Sequence, residues 1–319
     1  ATSYPRRVIP ASAVATNMGL LDAVKPDDLM AKRIAPAQAC LDGLSKPIAS
    51  SAVLLNVARG SATALGVRTA ETNGGNLVTD GFIDSYDRYA SRAGLPPRSA
   101  SNLVVAVQNG GGIRQSGTTA GGQLPESAAL PGPLSRRNTL DLLAFLTNVM
   151  TVVPDMSAQE MKLVFERSVS SGFSGAKCTG AGGGQFLQVS QLRVIADCSK
   201  TAQVVTTAGE ITTAGERIRY LAYDPGTPSN LADDIVLVRD GAVVAGAPTV
   251  SLVTNSFTAG GGDNYPTLKA KAGVQLGATY EQALVEYLLT FAKVGSLPTV
   301  PSSDSRYALP GGQGRITFG

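Results

Sequence analysis

Histidine is missing from all 319 residues of this chain. Its absence excludes Ser-His-Asp and Cys-His machinery, histidine general bases, and every zinc or paired-metal site that needs an imidazole ligand. Cysteine is scarce: three residues cannot build a four-thiolate site. Cys178 and Cys198 flank an expected hairpin and could be joined, leaving Cys40 over; the odd count favours three small buried thiols instead. Charge is low as well, 16% against roughly 25% in an average soluble domain. The net charge is +3 with no dense basic block, the nearest being Arg136-Arg137, which argues against nucleic acid as the main partner. No apolar run suits a membrane span: the longest region, TLDLLAFLTNVMTVV (139–153), is short and interrupted by Asp141, Thr147 and Asn148. The opening ATSYPRRVIP does not read as a signal peptide, so the numbering is expected to start after processing or inside a longer gene product. Any chemistry would rest on carboxylates, Lys, Arg, Ser or Tyr, and no acidic cluster fit for a carboxylate-only hydrolase stands out.

What is present is glycine and apolar residues. There are 36 glycines, 18 prolines and 43% hydrophobic residues, enough for a sizeable core and many turns. Residues 1–45 read as a polar, helix-prone lead-in, with Pro26-Asp27-Asp28 starting a helix that carries Leu29, Met30 and Ile34 on one face. NLVVAVQ (102–108) is a continuous apolar strand; FLQVSQLRVIAD (186–197), RIRYLAY (217–223), IVLV (235–238) and VSLVTN (250–255) are further strands. Asp240-Gly241 signals a two-residue hairpin. Thr72 or Asn73 caps a helix with Val78, Phe82, Tyr86 and Tyr89 at helical spacing. Ser157–Glu160 and Thr279–Gln282 read as capping boxes opening two more. The stretch 118–137 reads as a long surface loop. Strands and helices interleave without strict alternation, which predicts an α/β (mixed α+β) fold.

Two segments stand apart. QNGGGIR places three glycines between Asn109 and Arg114, directly after the apolar strand. Bare backbone at a strand end offers amides to a ligand, an asparagine both donates and accepts, and an arginine fork suits phosphate or ribose oxygens. It is not a Walker loop, because no Lys-Ser/Thr follows, and it lacks GxGxxG spacing. NSFTAGGGDNYP (255–266) sets Phe257 ahead of a second triple glycine that ends in Asp263. An aromatic ring, open backbone and a carboxylate suit a flat ring joined to a diol-bearing sugar. Phe186 reads as core.

In the order ETNGGNLVTDG, NGGGIR, GQFLQVSQLRV, NSFTAGGGDNYP, these stretches resemble the C-terminal domain of the 5'-nucleotidase family, from about residue 45 to the end. The resemblance implies mixed sheets with helices packed outside, and a role in binding a nucleoside or nucleotide for a di-metal phosphoesterase domain. It assigns residues 46–319 to that substrate-binding domain and 1–45 to the interdomain helix and the tail of the phosphoesterase domain. By this resemblance Arg68 and Arg114 face ribose and phosphate, Asn109 reads the base, Phe257 and Phe145 stack on it, and Asp263 accepts from the ribose hydroxyls. Two departures are visible. Phe145 sits in Ala144-Phe145-Leu146-Thr147-Asn148, where the family has a Pro-Phe-Gly-Asn turn, and GGDG reads GGDN at Asp263-Asn264. The family's divalent metals are held by residues of the other domain, so the resemblance implies no catalytic residue, metal ligand or cofactor here. It implies binding without hydrolysis by this chain, and a periplasmic or secreted parent enzyme. The alternatives are a stand-alone binding protein, or the same fold serving a cyclic nucleotide, a UDP-sugar or a sulfur compound.

Overall fold

The computed structural model describes residues 28–114, 122–126, 129–227 and 230–319. The chain divides into two units at Lys46/Pro47. In the first, a helix runs Asp28–Leu44 around an internal Pro36 and buries no residue; Leu29, Met30 and Ile34 are all exposed. The helix start expected at Pro26-Asp27 lies outside the described residues.

The second unit is organised by a five-stranded mixed sheet in the order Val274–Thr279, Val149–Met156, Val250–Asn255, Leu103–Asn109, Leu187–Ser190. Its central pair, Val250–Asn255 and Leu103–Asn109, is parallel, and the flanking pairs are antiparallel. Burial on both faces explains why LVVAV, the first five residues of Leu103–Asn109, is apolar without interruption. Leu103, Val105 and Val107 enter one core cluster while Val104 and Ala106 enter another. The first cluster takes Met161, Val164 and Phe165 from helix Ala158–Ser168. The second takes Leu77, Val78, Phe82 and Tyr86 from helix Asn73–Tyr89 and Leu284 and Leu288 from helix Tyr280–Leu288. Both faces are therefore covered, and the α/β class with helices outside the sheets holds.

A second five-stranded sheet runs Ala242–Val243, Ile235–Arg239, Ile218–Tyr223, Leu192–Ala196, Ile316–Phe318, and a four-stranded sheet includes Pro47–Ser51 and Gly132–Ser135. The stretch 186–197, continuous in apolar pattern, is two strands. Gln191, at φ 58°, turns the chain out of the central sheet into the second. The described part of 118–137 is not simply a loop, since it carries strands Gln123–Leu124 and Gly132–Ser135 and the start of helix Arg136–Leu142; residues 118–121 and 127–128 lie outside the described set. Thr72 caps its helix and Ser157 forms a complete box with Glu160. Thr279 supplies only the half that accepts from the Gln282 amide. Asp240 and Gly241 both take positive φ in the hairpin they form. Cys178 and Cys198 are joined in a disulfide, correcting the reading of three buried thiols, and Cys40 is exposed. The odd count misled because one cysteine belongs to a different unit of the chain.

Candidate functional site

The strand directions gather several loops at one end of the central sheet. Leu103–Asn109 ends there, and so does its parallel neighbour Val250–Asn255, which runs straight into the Ser256–Ala259 turn that carries Phe257. The antiparallel strand Val149–Met156 begins at that end, opposite Asn255, and is preceded by the turn that holds Phe145. Leu187–Ser190 also begins there, opposite Asn109, after the glycines 182–184. Carboxyl ends of parallel strands are where open α/β sheets leave a crevice for ligands.

Two of the chain's eight phenylalanines are exposed, Phe145 at 47% and Phe257 at 46%; leaving large rings half in water forgoes burial free energy. Phe257 lies against Gly262, where a Cβ would stand 2.4–2.5 Å from three ring atoms, so only glycine lets the ring sit there. The Phe145 turn is pinned from below. Its amide donates to the Tyr280 hydroxyl at 2.7 Å, and burial pushes that hydroxyl up to about 12, which keeps it a neutral anchor at physiological pH. Arg114, exposed, lies 5.6 Å from the centre of the Phe145 ring and donates to the Gly111 carbonyl at 3.2 Å.

Asp263 stands at φ 53°, ψ 23°, and Asn264 follows at φ 61°, two consecutive left-handed residues that are not glycine, a region L-residues enter at a cost of roughly 1–2 kcal/mol each. The Asp263 carboxylate accepts from Asn109 Nδ2 at 2.7 Å. Asn109 is itself buried, and its Oδ1 accepts from Gln108 Nε2 (2.9 Å), Asn255 Nδ2 (3.2 Å) and Thr258 Oγ1 (3.2 Å). The oxygen end of that carboxamide is committed within the protein, and the nitrogen end gives one of its two hydrogens to Asp263 and so orients that carboxylate.

The glycines answer differently from the sequence expectation. The Gly110, Gly111 and Gly112 amides donate to Phe186, Gly184 and Asn109 carbonyls at 2.7, 2.8 and 2.9 Å, leaving none for a ligand. What requires glycine is close approach: a Cβ on Gly110 would stand 2.3 Å from the Val67 carbonyl oxygen, and one on Gly112 2.1 Å from Gln108 Nε2. The segment therefore brings Arg68, which follows Val67, against the end of the sheet.

Arg68 supplies the electrostatic signature. Its Nε is buried with no hydrogen-bond partner among the described residues, an uncommon condition for a guanidinium nitrogen. Burial, then the neighbouring Arg59 and Arg114 charges, pull its pKa below the usual arginine value, and Asp263 opposes them. A guanidinium held near like charges, with a nitrogen unpartnered among the described residues, favours an added anion.

All six residues proposed from the sequence, Arg68, Asn109, Arg114, Phe145, Phe257 and Asp263, belong to loops or strand ends at this edge. The sequence reading missed Gly182–Gly184, whose third member packs beside Asp263 and accepts from Gly111. The third triple glycine, in CTGAGGGQF, was the available signal. It also missed Arg167, whose Nε and Nη2 both donate to the Asp263 carbonyl, at 3.0 and 2.9 Å; a lone arginine at a helix end carries no sequence mark. Among the described residues no group of three or more His, Cys, Asp or Glu could hold a metal ion. The side chains here do not fit a di-metal centre.

The fold is a mixed α/β domain whose glycine-rich loops gather at one end of its central sheet. The sequence profile of the 5'-nucleotidase, C-terminal domain matches residues 47–270, and the chain belongs to that family. Among solved structures it is similar to a 5'-nucleotidase precursor from Thermus thermophilus, with 28% identity and a TM-score of 0.56 over 92% of this chain and 43% of that one. It shares a fold with the NAD nucleotidase of Haemophilus influenzae, at 15% identity and a TM-score of 0.50, over 96% of this chain and 44% of that one. The chain thus spans less than half the length of these structures. No curated protein matches it. Among the described residues no helix is long and apolar enough to cross a membrane.

Proposed function

We propose that the unit from Pro47 onward is the nucleoside- or nucleotide-recognition domain of an exported 5'-nucleotidase-type phosphohydrolase. The base stacks between Phe145 and Phe257, the ribose hydroxyls donate to Asp263 as oriented by Asn109, and the phosphate lies toward Arg68 and Arg114. The domain binds and positions; the divalent metals and the hydrolytic step belong to a phosphoesterase domain outside this chain. Positioning of that kind is a large catalytic contribution in its own right.

The observation that carries the reading is the convergence, at one sheet end, of the two exposed phenylalanines with a buried, unpartnered Arg68 nitrogen and a carboxylate fixed in a left-handed turn. Each supplies a different part of a nucleotide: a flat base, an anion and a diol. The absence of histidine from the sequence and the lack of a metal-ligand cluster among the described residues support the division of labour. The Cys178–Cys198 disulfide supports export, because such bonds persist mainly in oxidising compartments.

Calorimetric titration with adenosine in chelator-containing buffer tests it. Saturable binding that disappears in the Arg114→Ala/Asp263→Ala double variant is the expected result. No heat at millimolar adenosine from the folded wild-type chain would overturn the reading of this unit as a self-sufficient nucleoside site.

A further inference from the structure

The Asp263 turn needs something to hold it. Asp263 and Asn264 are both left-handed, after Gly261 at φ 91°, and a non-glycine pair does not keep that shape unaided. Three anchors converge on it from the layer beneath the site. Arg167, in the last turn of helix Ala158–Ser168, places Nε and Nη2 on the Asp263 carbonyl oxygen at 3.0 and 2.9 Å and Nη1 on Ser170 Oγ at 2.9 Å. Asn264 Nδ2 donates to the Thr206 carbonyl at 3.0 Å. The buried Tyr265 hydroxyl donates to the Gln185 carbonyl, one residue after Gly184.

We infer that Arg167 is a positioning residue for the ligand-facing carboxylate: its fork on the Asp263 carbonyl, seconded by Asn264 on Thr206, fixes the left-handed turn that aims the Asp263 side chain at Asn109 and the crevice. The inference deepens the proposed function and rests on it for the identity of the ligand, but not for the conformational claim. It also gives the GGDN departure a reason. Where the family has glycine, able to take positive φ freely, this chain has asparagine, the residue after glycine that best tolerates it, with a side chain that bonds the turn in place. Arg167 acts on the site from beneath. Its influence passes through one carbonyl oxygen, which separates it from Asp263 in what its loss should do.

The test compares Arg167→Gln with wild type using adenosine and 2',3'-dideoxyadenosine as probes. Dideoxyadenosine keeps the base and lacks the hydroxyls that Asp263 would accept from. The expected result is about tenfold weaker adenosine binding, the order of one hydrogen bond to a charged group, with dideoxyadenosine affinity unchanged. Adding Arg167→Gln to Asp263→Asn should cost nothing further, since both act through one carboxylate, and Arg167→Lys should recover part of the loss. Equal weakening of both nucleosides, or full additivity with Asp263→Asn, overturns the inference. Amide hydrogen exchange without ligand is the second arm. The Tyr265 amide, bonded to the Gly261 carbonyl at 3.1 Å, should exchange faster in Arg167→Gln while the sheet amides do not. Unchanged exchange there overturns the inference even if wild type binds no adenosine, an outcome that by itself defeats only the proposed function. If Arg167→Gln does not fold, Arg167→Lys and Asn264→Ala carry both arms.

Discussion

Two Arg–Asp clusters in this domain use the same residue types to opposite ends. Around Asp80, Arg315 donates through Nη1 and Nη2 at 2.7 and 2.9 Å, the Tyr307 hydroxyl donates at 2.7 Å and the Ser190 hydroxyl donates too, with Arg306 Nη1 3.8 Å away. Nearby, Glu71 accepts from the Gln313, Gly314 and Ile316 amides at 2.8, 3.1 and 3.0 Å. Asn73 bridges Leu54 and Tyr307 carbonyls. Asp80 and Arg315 are buried and paired and Glu71 is held by backbone amides, and together they tie the final segment of the chain to helix Asn73–Tyr89. Around Asp263, by contrast, the carboxylate is partly exposed, a guanidinium nitrogen is buried without a partner among the described residues, and two rings stand half in solvent. Matched buried charge holds architecture together; unmatched charge at a rim leaves room for a ligand. The ETNGGNLVTD motif, which helped mark the family, belongs to the first kind.

Breaking the closed cluster should produce the largest effect. Asp80→Asn leaves the Arg315 guanidinium buried and uncompensated, and should lower unfolding stability by about 3–5 kcal/mol in a urea titration. Adenosine affinity of the folded variant should stay at the wild-type level. Acid sensitivity should change with it. Burial alone would raise the Asp80 pKa, but the Arg315 charge and the bonds from Arg315, Ser190 and Tyr307 outweigh it and hold the carboxyl below the ordinary aspartate value. A depressed folded pKa contributes stability that is present above the unfolded value of about 3.9 and is lost as pH falls through the folded one. The wild-type stability curve should therefore drop steeply below about pH 4, and Asp80→Asn should flatten that limb. A variant as stable as wild type at neutral pH would dissolve the distinction between the clusters.

At the open site, Arg68→Gln should act the other way round. It removes a half-buried charge whose Nε has no partner among the described residues and which sits among like charges, so stability should be unchanged or slightly higher. AMP binding should weaken by about 1.5–3 kcal/mol, the range for hydrogen bonds to charged groups, while adenosine binding should not, and parallel titrations with the two ligands measure the difference. Equal losses for both would mean that Arg68 faces no phosphate.

Much of this division was legible in the sequence, but by different means. The central strand, three helix caps and the Asp240-Gly241 hairpin follow from local rules, because period, capping and turn chemistry act over a few residues. The break at Gln191 does not, since one left-handed residue changes sheets without altering the apolar pattern. The role of Gly110–Gly112 was inverted for a similar reason. Three glycines announce bare backbone, yet whether a ligand or the Val67 carbonyl comes close is decided by a segment some forty residues away. The strand at Gly132–Ser135 was hidden by its prolines, and the disulfide by a count that ignored how the chain divides. Phe257 was marked by the glycines and carboxylate that follow it, whereas Phe145 was proposed through resemblance alone, since nothing in its local sequence distinguishes it from the buried rings; exposure sets both apart.

Exposed rings imply a third contrast, between binding and folding. Phe257→Ala should cost adenosine affinity about 1–3 kcal/mol, the range for stacking platforms, with a thermal midpoint close to wild type because the ring is half out of the core. Phe145→Ala should do the same. Phe186→Ala is the control, because that ring is 1% exposed and its loss should cost stability of about 3–5 kcal/mol. A large affinity loss for one exposed ring and none for the other would leave a single-sided platform rather than a sandwich.

The smallest effect should come from Arg114→Gln. Its guanidinium is exposed, and surface pairings of that kind are worth about 0.2–1 kcal/mol; its place over the Phe145 ring adds no more than a similar amount. AMP affinity should fall by less than in Arg68→Gln, and the deficit should vanish near 1 M salt, where the Debye length is about 3 Å. The Arg68→Gln deficit should persist there, since a buried nitrogen is shielded from mobile ions. If the two variants lose AMP affinity equally and respond to salt alike, burial does not set the strength of this site, and the unmatched Arg68 nitrogen is not what an anion answers.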